Sequence, residues 1–472
     1  MKEKNHAPES WARCSLADIV VLNPKNDASA EQTAGFVPMA LAPTDYRGTL
    51  QHEEKLWGEI KKSYTNFADG DVIFAKVTPC FENGKAAIVR DMPSGIGAGS
   101  SEFYVLRPAS EEISPNLLFA TIKTQSFMQQ GAENMTGAVG LRRVPRAFVQ
   151  SFPTALPPAA EQKVIADKLD TLLTQVESTK ARLERIPQIL KRFRQSVLAA
   201  AVSGRLTEDR RGTPAVSFQQ PPLTIGQEKE ETPSGWAWHN LVDLAKLESG
   251  HTPRKSRPDY WQNGDIPWIS LQDIRKAHGK VISETKFMPN MKGIENSSAR
   301  LLPTGTVCFS RDISVGFTTI MGREMSTTQH FVNWICGPKL NNHYLMYALM
   351  AAKDHLTISG QGTTVKTIYM PACKQFRIIT PPLEEQTEIV RQVDQLFAHA
   401  NRIEQQVNKA LARVNNLTQS VLAKAFRGEL TEQWRKDNPE LIKGENSAEA
   451  LLERIKAERA ASQQPKRRKR KA

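Results

Sequence analysis

The sequence has few cysteines and no long apolar run. Five cysteines occur in 472 residues, at Cys14, Cys80, Cys308, Cys336 and Cys373, and none forms a C-x-x-C pair. Such spacing is typical of reduced thiols in a cytosolic protein, not of a disulfide framework or a zinc site. The N-terminal MKEKNHAPES has no apolar core, and the run YLMYALMAA is about half of a bilayer span. We therefore expect a soluble, intracellular protein without a membrane partner.

Motifs for catalysis are also missing. No G-x-x-x-x-G-K-[ST] phosphate loop occurs, and no Pro-Pro pair lies in the acidic or amide Pro-Pro-aromatic arrangement of adenine methyltransferases. His and Cys show no metal-ligand spacing. One nuclease-like pattern remains, with Asp259, Glu284 and Lys286 as the residues that would hold Mg²⁺ and activate water. Because this pattern is permissive enough to arise by chance, the sequence favours a binding protein that is not an enzyme and holds no metal.

The composition is that of a soluble globular chain with an excess of positive charge. The hydrophobic fraction is 40%, the charged fraction is 24% and the formal net charge is +13. The run KRRKRK at Lys466–Lys471 contributes six of these charges. We interpret the run as a solvated, disordered tail, with a weak phosphate contact as the alternative. The remaining charge favours a polyanionic partner without identifying it.

A long internal repeat covers the chain. The segment LPPAAEQKVIADKLDTLL at Leu156–Leu173 returns as TPPLEEQTEIVRQVDQLF at Thr380–Phe397. Between Phe152 and Glu208, 18 of 57 residues are identical to the residue 224 positions further on. PESWARCSLADI, from Pro8, likewise parallels PSGWAWHNLVDL, from Pro233. The plan is therefore A-B-A′-B′, a duplication and not a solenoid of short repeats.

Both B segments carry an apolar seven-residue repeat that predicts a coiled coil. The first seam comprises Ile165, Leu169, Leu172, Val176, Thr179, Leu183, Ile186, Leu190, Phe193 and Val197, and the second comprises Ile389, Val393, Leu396, Ala400, Ile403, Val407, Ala410, Val414, Leu417 and Val421. Each helix should begin after a Pro-Pro pair and end near a capping glycine, Gly204 or Gly428. Pro187 should kink the first helix without breaking it, because the seam outweighs a proline cost of about 3 kcal/mol.

We expect the two helices to pair antiparallel within the chain, since domain A′ lies between them and can carry the chain back. The alternative is a parallel homodimer through each seam. The predicted boundaries are a first globular domain (A) at 1–151, a central helical region at 152–209, a linker at 210–232, a second globular domain (A′) at 233–375, a C-terminal helical region at 376–435, and a short helix with the basic tail at 436–472.

The A domains are expected to be α+β. DVIFAKV (Asp71–Val77) and TVCFSR (Thr306–Arg311) suit buried strands, whereas Asn116–Gln130 and His343–Leu356 are expected to be helical. Polar, glycine-containing stretches between such elements offer side chains that reach bases or phosphates. The candidate DNA-binding residues are Lys76, Thr78, Glu82, Asn83, Lys85, Ser100, Arg142, Arg143, Thr252, Arg254, Lys255, Gln361 and Lys366. Tyr260, Trp261 and Trp268 are interpreted as packing aromatics.

These segments resemble the specificity subunits of type I restriction–modification enzymes, most closely the K-type (IA) subclass. The resemblance is strongest in EQKVIADKLDTLLTQVESTKARLERIPQILKRFRQSVL (Glu161–Leu198) and in LARVNNLTQSVLAKAFRGELTEQWRKDNP with the following ENSAEALLERIKAERAA. AKVTPCFENGK and GHTPRKSRPDYW also resemble recognition-domain motifs of the wider family. The resemblance implies two target recognition domains separated by antiparallel helices, each domain reading one half of a bipartite, asymmetric DNA target.

The resemblance also implies the partners and the chemistry. Two methyltransferase subunits would dock on the helices and methylate adenine with S-adenosylmethionine, and motor–nuclease subunits would add ATP- and Mg²⁺-dependent cleavage of double-stranded DNA. This chain would bind no cofactor itself and would act in the prokaryotic cytoplasm. Three other interpretations remain: a coiled-coil protein scaffold, a nuclease based on Asp259, and a modification-only system without the nuclease.

Overall fold

Short strands and helices alternate along most of the chain, and two helices are much longer than the rest. The structure, a computed structural model, describes residues 7–138, 140–212, 221–226, 232–360 and 366–463. The strands are β1 (Ala12–Ser15), β2 (Val20–Leu22), β3 (Thr33–Val37), β4 (Glu53–Leu56), β5 (Thr65–Ala68), β6 (Val72–Ala75), β7 (Ala86–Ile88), β8 (Ile96–Gly99), β9 (Phe103–Pro108), β10 (Pro153–Leu156), β11 (Leu223–Ile225), β12 (Ala237–Asn240), β13 (Ala245–Ser249), β14 (Trp268–Ile269), β15 (Val281–Ile282), β16 (Val307–Ser310), β17 (Thr318–Met321), β18 (Ser326–Thr327), β19 (Phe331–Cys336) and β20 (Phe376–Thr380).

The helices include both B segments of the repeat. They are α1 (Leu16–Ile19), α2 (Trp57–Ile60), α3 (Pro115–Ile122), α4 (Gln125–Glu133), α5 (Arg146–Ser151), α6 (Ala159–Val202), α7 (Glu208–Arg211), α8 (Leu241–Leu244), α9 (Leu271–Lys276), α10 (Met291–Glu295), α11 (Asn342–Ala351), α12 (Lys353–Ser359), α13 (Met370–Cys373), α14 (Leu383–Phe426), α15 (Glu432–Asp437) and α16 (Ala448–Gln463). The long helices α6 and α14 have 44 residues each.

The chain divides into two units, and both boundaries fall inside the long helices. Unit 1 comprises residues 1–184 and 409–472, and unit 2 comprises residues 185–408. In unit 1 the N-terminal part of α6 packs beside the C-terminal part of α14. In unit 2 the C-terminal part of α6 packs beside the N-terminal part of α14. The helices are therefore antiparallel within one chain, which confirms the predicted fold class.

Unit 1 contains an α+β domain with two four-stranded sheets, in the orders β2-β9-β6-β7 and β4-β3-β8-β5. Strand β6 follows Gly70, whose φ of +86° suits glycine, and all four of its residues are buried. Helix α3 buries six of its eight residues against this layer. Strands β1 and β10 pair antiparallel and bring the start of the domain beside the entry to α6.

Unit 2 contains the second α+β domain, whose main sheet repeats the order of the β2-β9-β6-β7 sheet with one further strand and whose other sheets differ from those of unit 1. Its main sheet has the order β13-β19-β16-β17-β15, and a three-stranded sheet has the order β11-β20-β12. Strands β16 and β17 are buried along their full length. Strand β20 leads directly into Pro381-Pro382 and α14, as β10 leads into Pro157-Pro158 and α6. Both long helices therefore leave a sheet through the same kind of extended Pro-Pro step.

The predicted seams lie mainly on the protected faces of α6 and α14. Ile165, Leu169, Leu190, Val197, Ile389, Val393, Ala400, Val407 and Val414 are buried, while Leu172, Val176, Leu183, Ile186, Phe193, Leu396, Ile403, Ala410 and Val421 are partly buried. Two positions depart from this pattern. Thr179 is exposed, as is Leu417, at 44%. Near its C-terminus α14 instead buries Leu422 and Ala425, which join Ile165 and Leu169 in one apolar cluster of unit 1.

Helix α6 continues through Pro187 as one helix, so the predicted continuity is confirmed, and the kink stays a prediction. Both long helices end before a glycine in the left-handed region, Gly204 with φ +74° and Gly428 with φ +70°. This is the conformation of a C-terminal capping glycine, because a Cβ would be strained there.

Both stretches of the A domains that were expected to be helical are helical, and each is divided into two helices. The Asn116–Gln130 stretch forms α3 and α4, which separate at Lys123 and Thr124. The hydroxyl of Thr124 accepts a hydrogen bond from the backbone N–H of Phe127 and caps the new helix. In the second domain α11 ends at Ala351 and α12 begins at Lys353. The predicted strands are present as the shorter β6 and β16.

The predicted C-terminal helix is α16, and it completes the core of the first domain. Ser447 caps its start by accepting a hydrogen bond from the N–H of Ala450 at 3.2 Å. Ala448, Leu451, Leu452 and Ile455 are buried in the cluster that contains Leu16 and Ile19. Arg454 pairs with Glu112 at 2.7 Å. The end of the described chain is thus attached to the domain with which the chain begins.

Candidate nucleic-acid interface

A buried carboxylate in unit 1 joins the start of α6 to the segment that follows α14. Glu161 has no exposed side-chain surface. It accepts hydrogen bonds from Trp11 Nε1 at 2.8 Å, Thr431 Oγ1 at 2.6 Å and Arg435 Nη1 at 2.5 Å. Arg435 also donates to the carbonyl of Gly428 at 2.8 Å. A buried charge needs such compensation, so these residues form a specific junction, which we call the first clasp.

The same junction recurs in unit 2 with the helices exchanged. Glu385, at the start of α14, accepts from Trp236 Nε1 at 3.1 Å, Thr207 Oγ1 at 2.6 Å and Arg211 Nη1 at 2.7 Å. Arg211 donates to the carbonyl of Gly204 at 2.8 Å. In this second clasp the segment after α6 holds the start of α14. Each long helix therefore ends where the other begins.

The glutamine after each clasp glutamate attaches a recognition domain to its helix. Gln162 Oε1 accepts from the N–H of Ser114, before α3, at 2.9 Å, and its Nε2 donates to the carbonyl of Pro157 at 3.1 Å. Gln386 Oε1 accepts from the N–H of Asn341, before α11, at 2.8 Å, and its Nε2 donates to the carbonyl of Pro381 at 2.9 Å. The Glu-Gln pair thus fixes both ends of each domain to the helix entry.

In the first domain the structure brings the predicted DNA-binding segments together. Lys76 Nζ donates to the carbonyl of Ser101 at 2.8 Å, beside Ser100, and the backbone N–H of Thr78 donates to the carbonyl of Arg142 at 3.0 Å. Residues 76–85, 100–102, 136–138 and 140–144 therefore form one surface. The basic side chains there already have partners within the domain.

The two arginines of this surface are paired with glutamates. Arg143 binds both carboxylate oxygens of Glu102 and lies 2.7 Å away at its closest point, and its hydrogen bonds lower the pKa of Glu102. Arg142 lies 3.6 Å from Glu82. A contact from either guanidinium to DNA would have to compete with these carboxylates.

Lys85 and Asn83 lie at the edge of this surface. Lys85 is half-buried and donates to the carbonyl of Met39 at 2.7 Å. Asn83 and Glu82 line a cavity of about 610 Å³ in unit 1, together with Lys123. Lys123 donates to the carbonyls of Thr44 and Gly84, both at 2.7 Å, and burial lowers the pKa of its ammonium group to about 8.

In the second domain four of the five predicted residues can be located. Thr252 hydrogen-bonds to Thr328 and Gln329, and Arg254 and Lys255 follow it on an exposed loop. Lys366 is exposed and precedes Ile368, whose N–H donates to the carbonyl of Arg311 at 2.8 Å. Arg311 in turn donates to the carbonyl of Gln329 at 3.1 Å. The loop that contains Thr252 and the segment that contains Lys366 therefore both approach residues 328–330. Gln361 lies outside the described residues. All DNA contacts remain predictions.

In the nuclease-like pattern, Asp259 is paired with basic side chains. Asp259 lies 3.0 Å from both Arg257 and Lys292, and the hydrogen bond from Arg257 is the main cause of its lowered pKa. Among the described residues no group of three His, Cys, Asp or Glu side chains is arranged to hold a metal ion.

All five cysteines are unpaired. No helix in the described ranges is long and apolar enough to cross a membrane.

Comparison with known proteins decides the family. The sequence matches the type I restriction modification DNA specificity domain twice, at residues 8–188 and 233–413. The chain belongs to this family. The two matches cover the two α+β domains and most of both long helices, so the duplication seen in the sequence is a duplication of this domain.

Several specificity subunits of type I restriction enzymes are similar to this chain over most of its length. The StySPI subunit of Salmonella potsdam is 39% identical over 368 residues, which cover 76% of this chain and 74% of the relative. The EcoBI subunit of Escherichia coli is 41% identical over 69% of each chain. The EcoKI subunit of Escherichia coli K12 is 38% identical over 76% of this chain and 74% of the relative, which confirms the resemblance to the K-type subunits.

Solved structures share the fold. The HsdS subunit of Thermoanaerobacter tengcongensis aligns over 91% of this chain and all of its own, with a TM-score of 0.62 and 20% identity. A chain from a study of assembly and conformational transition of the type I R-M system aligns over 90% of this chain and 99% of its own, with a TM-score of 0.71 and 19% identity. The curated relatives are named specificity subunits, which are not the catalytic subunits of these enzymes.

Proposed function

We propose that this chain selects the DNA sites of a type I restriction–modification complex by reading a bipartite, asymmetric target, one half with each recognition domain. The observation that carries the proposal is the paired occurrence of the specificity domain on two α+β folds that share the order of their main sheet but differ in their other sheets. Different sheets present different loops to DNA, which suits two half-sites of unlike sequence. The net charge of +13 favours a polyanionic partner.

In this proposal the chemistry belongs to partner subunits. Two methyltransferase subunits dock on the antiparallel helices and methylate adenines with S-adenosylmethionine, and motor–nuclease subunits supply ATP- and Mg²⁺-dependent cleavage. The extruded adenine would enter the methyltransferase subunit and not this chain. Two docking sites are proposed because the architecture is repeated. In each clasp the start of one long helix lies beside the segment that follows the other long helix.

The test is sequencing of adenine methylation in cells that carry the methyltransferase subunit, with and without this chain. A split motif with a fixed unread gap should appear only when the chain is present. No new motif, despite confirmed production of both proteins, would favour the alternative of a coiled-coil protein scaffold.

A further inference from the structure

An exposed apolar group lies on a hydrogen-bonded segment of the second domain that ends at the first residue of α10. Phe287 is 42% exposed, Met288 is 43% exposed and Met291 is 47% exposed. Single exposed apolar residues are common on protein surfaces, but three within five residues form a patch. We call Phe287, Met288 and Met291 the apolar tip.

The apolar tip is held in place by hydrogen bonds on both sides. The N–H of Trp268 donates to the carbonyl of Phe287 at 3.1 Å, and the N–H of Ile266 donates to the carbonyl of Pro289 at 3.2 Å. Asn290 Nδ2 donates to the carbonyls of Asp259 at 2.8 Å and Gln262 at 3.0 Å. A rigid backbone that presents apolar side chains to solvent loses little further entropy when a partner covers them.

Two lysines without carboxylate partners stand beside the tip. Lys255 Nζ lies 5.8 Å from the ring centres of both Trp268 and Phe287, and Lys286 Nζ lies 5.4 Å from that of Phe287. Neither lysine takes part in an ion pair within the described part of the chain. The neighbouring Arg257 and Lys292 are both paired with Asp259. The charge that remains available here is therefore positive and concentrated around the aromatic ring.

We infer that the apolar tip contacts the bases of duplex DNA, with Lys255 and Lys286 on the adjoining phosphates. Apolar side chains such as Phe and Met contact thymine methyl groups or wedge between base steps, and lysines neutralise phosphates. Unpaired cations next to apolar groups fit this polyanion better than an apolar protein surface. The inference rests on the proposed function and assigns to it Phe287, Met288 and Met291, which the sequence pattern had not singled out, beside the candidate Lys255.

The experiment measures binding of the purified full-length chain to three duplexes over a range of salt concentrations. One duplex carries the methylated motif found by sequencing, and in each of the other two one half-site is scrambled. Phe287→Ala combined with Met288→Ala should weaken binding to the native duplex at least tenfold. The same variant should lose its preference for the native over the scrambled sequence at only one of the two half-sites. Lys255→Ala and Lys286→Ala should weaken binding to every duplex and each lower the salt slope by about one.

Two controls separate recognition from folding. Val242→Ala removes an apolar side chain of α8 that is also 42% exposed, and it should change affinity less than twofold. Phe287→Leu keeps an apolar tip and should retain most of the affinity, and thermal unfolding should show the same midpoint for all variants.

The inference is overturned if the double alanine variant is folded and binds all three duplexes as the unchanged chain does. It is equally overturned if that variant binds DNA normally but no longer retains the methyltransferase subunit, because the tip would then cover a protein. If the unchanged chain directs no methylation motif, the proposed function itself fails, which is a different result.

Discussion

Arg435 and Glu161 form a buried ion pair across 274 residues of sequence, with Nη1 2.5 Å from Oε1. The equivalent pair, Arg211 and Glu385, has a distance of 2.7 Å and lies in unit 2. In each pair the arginine follows one long helix and the glutamate begins the other. The duplicated sequence therefore builds two copies of one junction from exchanged halves, and these junctions hold the ends of the helices.

Arg435→Met should destabilise the protein strongly, because it leaves the carboxylate of Glu161 buried without its cation. Removing one partner of a buried pair costs about 3–5 kcal/mol. The adjacent Lys436→Met is the matched control, since Lys436 pairs with Glu432 where both side chains are 63% exposed, and such exposed pairs contribute little to stability. Denaturant unfolding measures both, and equal losses would show that the first clasp is not an important junction.

A second prediction compares the contributions of Ile389 and Leu417, two residues of the second apolar seam, to the stability of the protein. Both residues occupy predicted heptad positions, but Ile389 is fully buried and Leu417 is 44% exposed. Ile389→Ala should lower the free energy of unfolding by about 2–5 kcal/mol. Leu417→Ala should change it by about 0.5 kcal/mol or less. A large loss for Leu417→Ala would mean that a partner or a second packing mode covers that position in solution.

Lys123 should titrate far below an ordinary lysine. Burial lowers the pKa of its ammonium group to about 8, from 10.5 for an unperturbed lysine. Between these values the unfolded chain binds more protons than the folded one at this group, so its contribution to stability rises with pH. Unfolding measured from pH 8 to 10.5 should show this rise, and Lys123→Met should lack it. Competitive labelling that gave Lys123 an ordinary pKa would contradict the prediction.

Arg143 and Glu102 offer a test of the first recognition surface. If Arg143 contacts a phosphate, Arg143→Ala should weaken binding to all duplexes and lower the salt slope by about one. Glu102→Gln removes the competing carboxylate, so it should leave binding equal or tighter. If Arg143→Ala leaves both affinity and slope unchanged, the arginine serves only to hold Glu102.

Periodic features of the fold could be predicted from the sequence, but most long-range pairings could not. The heptads predicted both long helices, since a repeat in apolar residues directly reports a buried stripe. The break between α3 and α4 was missed although Thr124 is a favourable capping residue, because the apolar pattern continues across it.

The two clasps show why long-range contacts could not be predicted from the sequence. Nothing local in Glu161 indicates that its partner is Arg435, since the two meet only after the helices fold back. A signal was nevertheless present. Glu161, Thr207 and Arg211 recur 224 residues later as Glu385, Thr431 and Arg435, in segments of otherwise modest identity. The partners of Arg143 and Lys85 gave no such signal, because each depends on the loop geometry of a single domain.

If each domain reads its own half-site, a chain with two copies of one domain should read the same half-site twice. Residues 233–375 are replaced by a second copy of residues 8–151, which leaves both long helices intact. Once thermal unfolding has shown that this protein folds, adenine methylation is sequenced in cells that supply the methyltransferase subunit. We expect a split motif whose two halves are the same sequence in inverted orientation. An unchanged asymmetric motif would contradict this expectation.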